Sequence, residues 1–212
     1  MTGTTTYLTI ARDAQAEIEV KRSRFLCSLR RVNSEEVARE VLAAIRKQHW
    51  DAGHHCSAMI IGADSAIERS NDDGEPSGTA GAPMLEVLRG HGVSDVVAVV
   101  TRWFGGTLLG SGGLARAYGD GVRGGLEDLP LIRRSLVEEF TVAVDHASAG
   151  RVENDLRSRG VRVLSTEYAE RAVIRVGAAA GNRVDLESTL AEVMSEQVDL
   201  FPAGSGWVES AL

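Results

Sequence analysis

The spacing of apolar and polar residues predicts that the first half of the chain is built mainly from strands. Apolar and polar positions alternate through Tyr7–Ala11 and Glu17–Val32, with a shift of register inside the second run, and this two-residue period is typical of half-buried strands. His55–Ile61 and Asp95–Phe104 are mostly apolar, which is typical of strands buried on both faces. A further short strand is predicted near Ala66–Arg69.

Three helices are predicted in the same part of the chain. Asn33 is a good helix N-cap, with Glu36 three residues later, and this helix should end near Gln48. Pro83 suits the first turn of a second helix, because its missing N–H is not needed there. A third helix should begin at about Leu114, directly after a glycine-rich segment.

A domain boundary is predicted at Pro130–Ser135, where the chain has a proline and the balance of charge changes. Beyond it, the predicted order is strand, helix, two strands, helix and a last strand at Val198–Phe201, and Gly204–Leu212 is expected to be a tail. That order is typical of the ferredoxin-like βαββαβ fold. We therefore expect an α+β chain with a first domain over residues 1–133 and a smaller ferredoxin-like domain over residues 134–212.

The composition is that of a globular protein, with 43% hydrophobic and 25% charged residues. No apolar run reaches the roughly 18–20 residues of a membrane helix, the first residues lack the apolar stretch of a secretory signal, and only two cysteines occur. We therefore expect a cytoplasmic protein with reduced thiols and no membrane partner.

The formal net charge of −7 is distributed unevenly. Residues 136–212 carry 7 Lys and Arg against 13 Asp and Glu, whereas the segment from Lys21 to Lys47 carries 8 basic residues against 3 acidic ones. An acidic protein is a poor non-specific binder of nucleic acid, because phosphate neutralisation dominates that affinity. A local basic edge could nevertheless contact RNA or an acidic protein.

The densest motif is a glycine-rich segment that follows the predicted strand ending at Phe104. Arg102 precedes it, Ser111 lies within it, and its five glycines within nine residues are Gly105, Gly106, Gly110, Gly112 and Gly113. Glycine allows a positive φ and the close approach of an anion, and the first amides of the following helix carry the positive end of its dipole. The motif therefore predicts an anion site; the alternative is a tight turn with no ligand.

Two nucleotide-binding motifs are excluded. Gly110–Ala115 fits a G-x-G-x-x-A spacing, but a dinucleotide fingerprint belongs after the first strand of its domain, and here the domain ends instead. The chain has no Gly-Lys-Ser or Gly-Lys-Thr, which excludes a P-loop. A looser similarity to the phosphate loop of small-molecule kinases of the galactokinase and homoserine kinase type supports an enzyme as an alternative.

The second motif is an acidic, glycine-containing loop ahead of the second predicted helix. Asp72, Asp73 and Glu75, with Thr79 nearby, could hold a hard cation such as Mg²⁺ through oxygen ligands. Their spacing does not fit an EF-hand. The favoured alternative is a tightly turned, charged surface loop.

The third motif is the triplet His54, His55 and Cys56. Neighbouring strand residues face opposite ways, so His54 and Cys56 share one face and His55 takes the other. A zinc site would need further ligands at metal spacing, and none is close in sequence, which favours an ordinary buried or surface histidine. If the chain is an enzyme, His55 could act as a general base together with Asp73 and Glu75.

Four segments carry a resemblance to a known family. Lys21–Phe25, His54–Cys56, Asp72–Gly81 and Arg102–Gly110 occur in the order seen in the YigZ/IMPACT family, and the chain resembles that family over residues 7–205. The resemblance implies a first domain that is an α/β sandwich like the fourth domain of elongation factor G, and a second domain like the ferredoxin-like fifth domain of that factor. It also implies a link to translation, because eukaryotic members regulate translation by competing for a protein that activates a stress kinase.

Three functions follow from these observations. The resemblance favours a non-enzymatic, translation-associated regulatory protein that binds RNA or the ribosome, with the glycine amides, Lys21, Arg22, Arg24 and Arg102 contacting phosphates. The second function is a metal-assisted enzyme acting on a phosphorylated small molecule or nucleotide. The third is a protein-interaction scaffold, in which the glycine-rich site has a structural role only.

Overall fold

The computed structural model describes residues 4–212 of the chain. Residues 1–3 lie outside the described residues, so the prediction that the first residues lack a secretory signal falls partly outside the structure. The chain separates into two compact units: one ends at Arg134 and includes Ser210–Leu212, and the other comprises Ser135–Glu209. Within residues 4–212, no helix is long and apolar enough to cross a membrane.

The first unit is built around a five-stranded antiparallel sheet. The short strand β1 (Thr6–Ile10) precedes this sheet in the chain and lies outside it. The strands of the sheet are β2 (Ala14–Val20), β3 (Ser23–Arg31), β4 (His54–Ile61), β5 (Ile67–Asn71) and β6 (Val96–Trp103). Their spatial order is β2-β3-β6-β4-β5, and every neighbouring pair is antiparallel, so β6 is the central strand.

Helices cover both faces of this sheet, and each face has its own apolar core. The helices are α1 (Glu35–Gln48), α2 (Gly81–Gly90) and α3 (Ser111–Leu126). Side chains alternate across β6, so Val100 joins the core that contains Leu88 of α2 and Tyr118 of α3. Val99 joins the opposite core, with Ile45 of α1.

The structure corrects the prediction that Glu17–Val32 is one strand with a shift of register. The chain instead forms a β2–β3 hairpin, in which Lys21 and Arg22 make a two-residue turn with φ of 46° and 66°. Two left-handed residues suit a type I′ turn, but neither is Asn or Gly, so the usual sequence signal is missing. The cap of α1 is also corrected: Ser34 caps this helix rather than Asn33, and its Oγ accepts a first-turn N–H at 3.2 Å.

The second unit has the ferredoxin-like order that the sequence predicts. Its elements are β7 (Leu131–Val144), α4 (His146–Ser158), β8 (Arg162–Tyr168), β9 (Ala172–Ala179), α5 (Arg183–Met194) and β10 (Phe201–Ala211). β9 pairs with β7 and β8, and β10 pairs with β7, which gives the order β8-β9-β7-β10. Val142, Leu156, Ile174 and Leu190 belong to a separate apolar core. The chain is therefore α+β, as predicted.

The predicted last strand at Val198–Phe201 and the predicted tail at Gly204–Leu212 are wrong. The final strand is β10, so most of the expected tail is paired with β7. This segment contains a proline and two glycines and lacks a clear alternation of apolar residues, so tertiary pairing rather than local pattern makes it a strand. A Cβ at its Gly206 would meet a carboxylate oxygen of Glu139, so that side chain would have to move.

Candidate functional site

Three loops lie at the end of the first sheet where the central strand β6 ends. They are the β2–β3 turn (21–22), the α1–β4 loop (49–53) and the β6–α3 loop (104–110). We call these three loops together the tip. The register of the sheet brings them to one end, because Arg24 pairs with Trp103 and His54 pairs with Arg102.

Gly105 lets two loops of the tip pack directly against each other. Its N–H donates to Ser23 Oγ at 3.1 Å, and a Cβ at this position would overlap the Arg22 backbone. Arg22 Nη2 in turn donates to Thr107 Oγ1 at 3.2 Å. The glycine is therefore required for packing within the tip, whatever the tip binds.

The other predicted glycines shape the entry into α3. Gly106 and Gly110 have φ of 82° and 72°, in the left-handed region that favours glycine. Gly110 is the N-cap and makes no side-chain cap, and the first turn, with Ser111, Gly112 and Gly113, contains no acidic residue. This helix start offers partly positive backbone amides, the feature on which the predicted anion site depends.

A cation and an aromatic ring are stacked at the edge of the tip. The Arg24 guanidinium lies 3.9 Å from the centroid of the Trp103 ring, and Trp103 Nε1 donates to Asp51 Oδ2 at 2.9 Å. The His49 ring meets the Trp103 ring edge-on, with centroids 5.5 Å apart. Of the predicted basic residues, Arg24 is therefore held in place by a ring, while its side chain remains about half exposed.

Three large apolar side chains of the tip are exposed to solvent. The exposed fractions are 82% for Trp50, 58% for Phe104 and 83% for Leu108. The sequence analysis did not select Trp50 or Leu108, and it treated Phe104 as the end of a strand. Exposed apolar side chains on loops that also carry cations make the tip the candidate binding surface of this domain.

Arg102 is buried, in contrast to the predicted phosphate contact. Its Nη1 donates to Glu75 Oε1 at 2.6 Å, and only 5% of the residue is exposed. Tyr118 Oη donates to the same oxygen at 2.7 Å. The guanidinium also lies 5.4 Å from the Phe25 ring centroid and 5.7 Å from that of Phe104. Its charge is used inside the domain, which argues against direct contact with a phosphate.

Burial keeps the polar groups around this ion pair protonated. Cys56 Sγ donates to the Asp72 carbonyl at 3.0 Å, and burial raises the pKa of the Cys56 thiol to about 12. Burial likewise raises the pKa of the Tyr118 phenol, and the neighbouring Cys56 and Glu75 raise it further. Neither group is a nucleophile at neutral pH; both are hydrogen-bond donors.

The Asp72 carboxylate lies at the start of α2, where its negative charge accepts backbone N–H groups of the helix start. It accepts the N–H groups of Gly78, Ala80 and Gly81 at 2.8, 3.0 and 2.8 Å. Burial disfavours the charged form, but these three hydrogen bonds outweigh it and hold the pKa of Asp72 below its ordinary value. Thr79 stabilises the loop itself, since its Oγ1 donates to the Pro76 carbonyl at 2.6 Å.

Of the predicted catalytic combination, the structure brings His55 and Asp73 together and leaves Glu75 apart from them. Asp73 accepts the His55 backbone N–H at 2.7 Å, pairs with Arg46, and lies 3.9 Å from His55 Nδ1. Glu75 instead lies 3.9 Å from His54 Nε2. Neighbouring strand residues point to opposite faces, which separates His55 from Glu75. Burial also lowers the pKa of His55.

The three carboxylates predicted to hold a cation each bind separate donors. Asp72 accepts backbone amides, Asp73 pairs with an arginine and a histidine N–H, and Glu75 accepts an arginine and a tyrosine. Within residues 4–212, no three His, Cys, Asp or Glu side chains are grouped so that they could hold a metal ion. A shared Mg²⁺ ion would first have to break these internal contacts.

Fold and site together define a two-domain α+β protein whose first domain presents a basic loop cluster with exposed rings. The model of the Impact N-terminal domain family matches residues 21–126, and a model of a domain of unknown function, DUF1949, matches residues 142–197. The chain is 46% identical over 164 residues to the IMPACT family member YvyE of Bacillus subtilis (strain 168), covering 77% of this chain and 76% of that protein. The chain belongs to the IMPACT family.

Further relatives agree with this family and with the fold. The chain is 38% identical over 185 residues to the IMPACT family member YigZ of Escherichia coli (strain K12), covering 86% of this chain and 91% of that protein. A crystal structure described as that of a hypothetical protein matches with a TM-score of 0.63 and 34% identity over 94% of this chain and 98% of that one. A structure of the two-domain translational regulator Yih1 matches with a TM-score of 0.34, too low to carry an argument.

Proposed function

We propose that this protein is a translation-associated regulatory protein that binds RNA, free or in the ribosome, through the tip. Two lines support the proposal: the resemblance to a family with members that regulate translation, and the chemistry of the tip. Such a role would be exercised in the cytoplasm. The single observation that carries it is the group of unpaired cations on the tip and beside it.

The charges of these cations are available to a ligand because no carboxylate of the domain neutralises them. Within residues 4–212, no carboxylate pairs with Lys21, Arg22 or Lys47, whereas the neighbouring Arg24 pairs with Glu17 and Arg46 pairs with Asp73. The β2–β3 turn holds the first two side chains on the tip, and the third belongs to the last turn of α1. Phosphate groups are the acceptors that such a cluster neutralises best.

The test is co-sedimentation with ribosomes and ribosomal subunits across a salt series. Lys21→Glu should weaken binding several-fold, because it replaces an unpaired cation of the tip with an anion. Arg12→Glu is the matched control, since Arg12 is an exposed cation in the β1–β2 connection, at the opposite end of β2. Equal loss in both variants, or no binding at any salt concentration, would count against the proposal.

A further inference from the structure

We infer that the tip binds single-stranded RNA, with unpaired bases stacked on Trp50 and Phe104 and the backbone lying along its cations. The inference rests on the proposed function and specifies the form of RNA that the tip accepts. A surface for duplex RNA would need cations and hydrogen-bond donors for phosphate and ribose, whereas single strands are bound by stacking their bases on rings.

The exposed rings are the first argument. Trp50 and Phe104 expose 82% and 58% of their surface, and both belong to loops of the tip. In a duplex the faces of the bases are covered by their neighbours, so a ring on the protein has no partner there. In a single strand every base can present its face, and stacking on an aromatic side chain is tolerant of sequence.

The second argument is that the backbone that carries the rings is fixed to the central strand. Phe104 follows directly after the central strand, and the Arg102 guanidinium, itself fixed by Glu75, lies 5.7 Å from its ring centroid. The loop that carries Trp50 is tied to β6, because the Gly53 N–H donates to the Arg102 carbonyl at 3.0 Å. A backbone that is fixed in advance reduces the conformational entropy that is lost when the rings bind a base.

A third stacking surface lies at the end of β6, where Trp103 contacts the α1–β4 loop. Arg24 covers the Trp103 ring at 3.9 Å while 48% of its side chain is exposed. A planar guanidinium that rests on an indole presents its outer face to solvent, and such a plane stacks on bases. The charge of Arg24 is shared with Glu17 at 3.7 Å, so this residue contributes mainly by stacking.

Charge complementarity favours RNA over a protein partner. The unpaired Lys21, Arg22 and Lys47 occupy the tip and the neighbouring end of α1, and the α3 start beside the tip lacks an acidic residue in its first turn. A single strand of RNA alternates flat bases with phosphates, so it matches both the rings and the cations. An acidic protein segment would match the cations alone.

The experiment compares a fluorescein-labelled 12-nucleotide, uridine-rich RNA as a single strand and annealed to its complement, by fluorescence anisotropy. Wild-type protein should bind the single strand about tenfold more tightly than the duplex. Trp50→Ala and Phe104→Ala should each weaken single-strand binding by about tenfold and leave duplex binding unchanged. Trp50→Phe should retain most of the affinity, and Tyr168→Ala, which removes a 62% exposed ring of the second domain, should change nothing.

The outcomes separate this inference from the proposed function. Equal binding of both RNAs, weakened by Lys21→Glu but not by Trp50→Ala, would overturn the inference and leave RNA binding by the tip intact. Ribosome co-sedimentation that depends on Trp50 without any binding of free RNA would also overturn it, because the ring would then need a folded ribosomal surface rather than a single strand. Absence of binding to ribosomes and to both RNAs would remove the inference and the proposed function together.

Discussion

At the scale of single residues, Glu75 holds together the buried polar centre behind the tip. One of its oxygens accepts from Arg102 at 2.6 Å and from Tyr118 at 2.7 Å, and the side chain is almost fully buried. A buried ion pair contributes little compared with an apolar pair, but removal of one partner leaves an uncompensated charge in the interior. The centre therefore depends on keeping both partners.

We predict that Glu75→Gln lowers the free energy of unfolding by about 2–4 kcal/mol, because the Arg102 charge then stays buried without its counter-ion. Urea denaturation at neutral pH measures this change. The matched control is Glu40→Gln at an exposed position of α1, which should stay within about 0.5 kcal/mol of wild type. Equal stability of the two variants would show that the pair does not hold this region.

Asp72 gives a prediction about pH. Its folded-state pKa is held below the ordinary value of 3.8, so its hydrogen bonds stabilise the fold above that value and are lost as the pH falls through the lowered pKa. Asp72→Ala should cost about 1–2 kcal/mol at pH 7, as the loss of a helix cap does. The difference from wild type should shrink as the pH falls below 3.8. Unfolding curves from pH 7 to pH 2 check it; a constant difference would contradict it.

At the scale of elements, the glycines of the motif differ in what they do. A Cβ at Gly105 would overlap the backbone of the β2–β3 turn, whereas a Cβ at Gly112 meets nothing within 4 Å. The five glycines of the segment therefore have at least two roles. Gly105 allows two loops of the tip to pack together, whereas Gly106 and Gly110 adopt the positive φ that the chain needs before α3. Alanine substitutions at Gly105 and Gly112 can therefore be compared directly, one with and one without a steric clash.

We predict that Gly105→Ala destabilises the protein by about 1–3 kcal/mol and weakens ribosome binding, because the β6–α3 loop must move away from the β2–β3 turn. Gly112→Ala should leave stability unchanged or raise it by about 0.5 kcal/mol, since alanine favours the helix. Thermal unfolding and co-sedimentation of both variants measure these effects. Similar behaviour of the two variants would contradict the proposed division of roles.

Local patterns predicted most of the elements, and tertiary contacts explain the exceptions. Nearly continuous apolar runs located β4 and β6, and the βαββαβ order of the second domain was also clear from the sequence. The β2–β3 turn was missed because Lys21 and Arg22 adopt left-handed conformations without Asn or Gly. β10 was missed because its pairing with β7, rather than its composition, makes it a strand.

The candidate site was located by its glycines, but its chemistry depends on which face each side chain takes. Arg102 was expected to contact phosphate, yet the register of β6 turns it toward Glu75 and Tyr118. Trp50 was overlooked because exposure is a property of the folded surface, and a lone tryptophan in a sequence is more often buried. Positions of motifs can thus be predicted from a sequence more easily than the direction of their side chains.

At the scale of the whole molecule, the net charge of −7 limits the binding of RNA to a local surface. The acidic residues 136–212 repel phosphate in general, so attraction has to come from the basic segment that supplies the tip. Binding should therefore involve few phosphates and be sensitive to single substitutions.

We predict a modest salt dependence for single-stranded RNA. If the unpaired Lys21, Arg22 and Lys47 each neutralise one phosphate, the slope of log K against log salt concentration should be about −2. Lys21→Glu should reduce the steepness of this slope by about 1 or slightly less. Anisotropy titrations at several salt concentrations give the slope, and a value near zero would contradict phosphate contacts.

The most direct test of RNA binding by the tip is a map of the amides that respond to RNA. The measurement is a titration of ¹⁵N-labelled protein with the 12-nucleotide single strand, followed by two-dimensional NMR. We predict that the shifts concentrate in residues 21–24, 49–53 and 104–113 and that the second domain stays unchanged. Shifts confined to residues 135–209, or scattered over both domains without a maximum at the tip, would contradict the account.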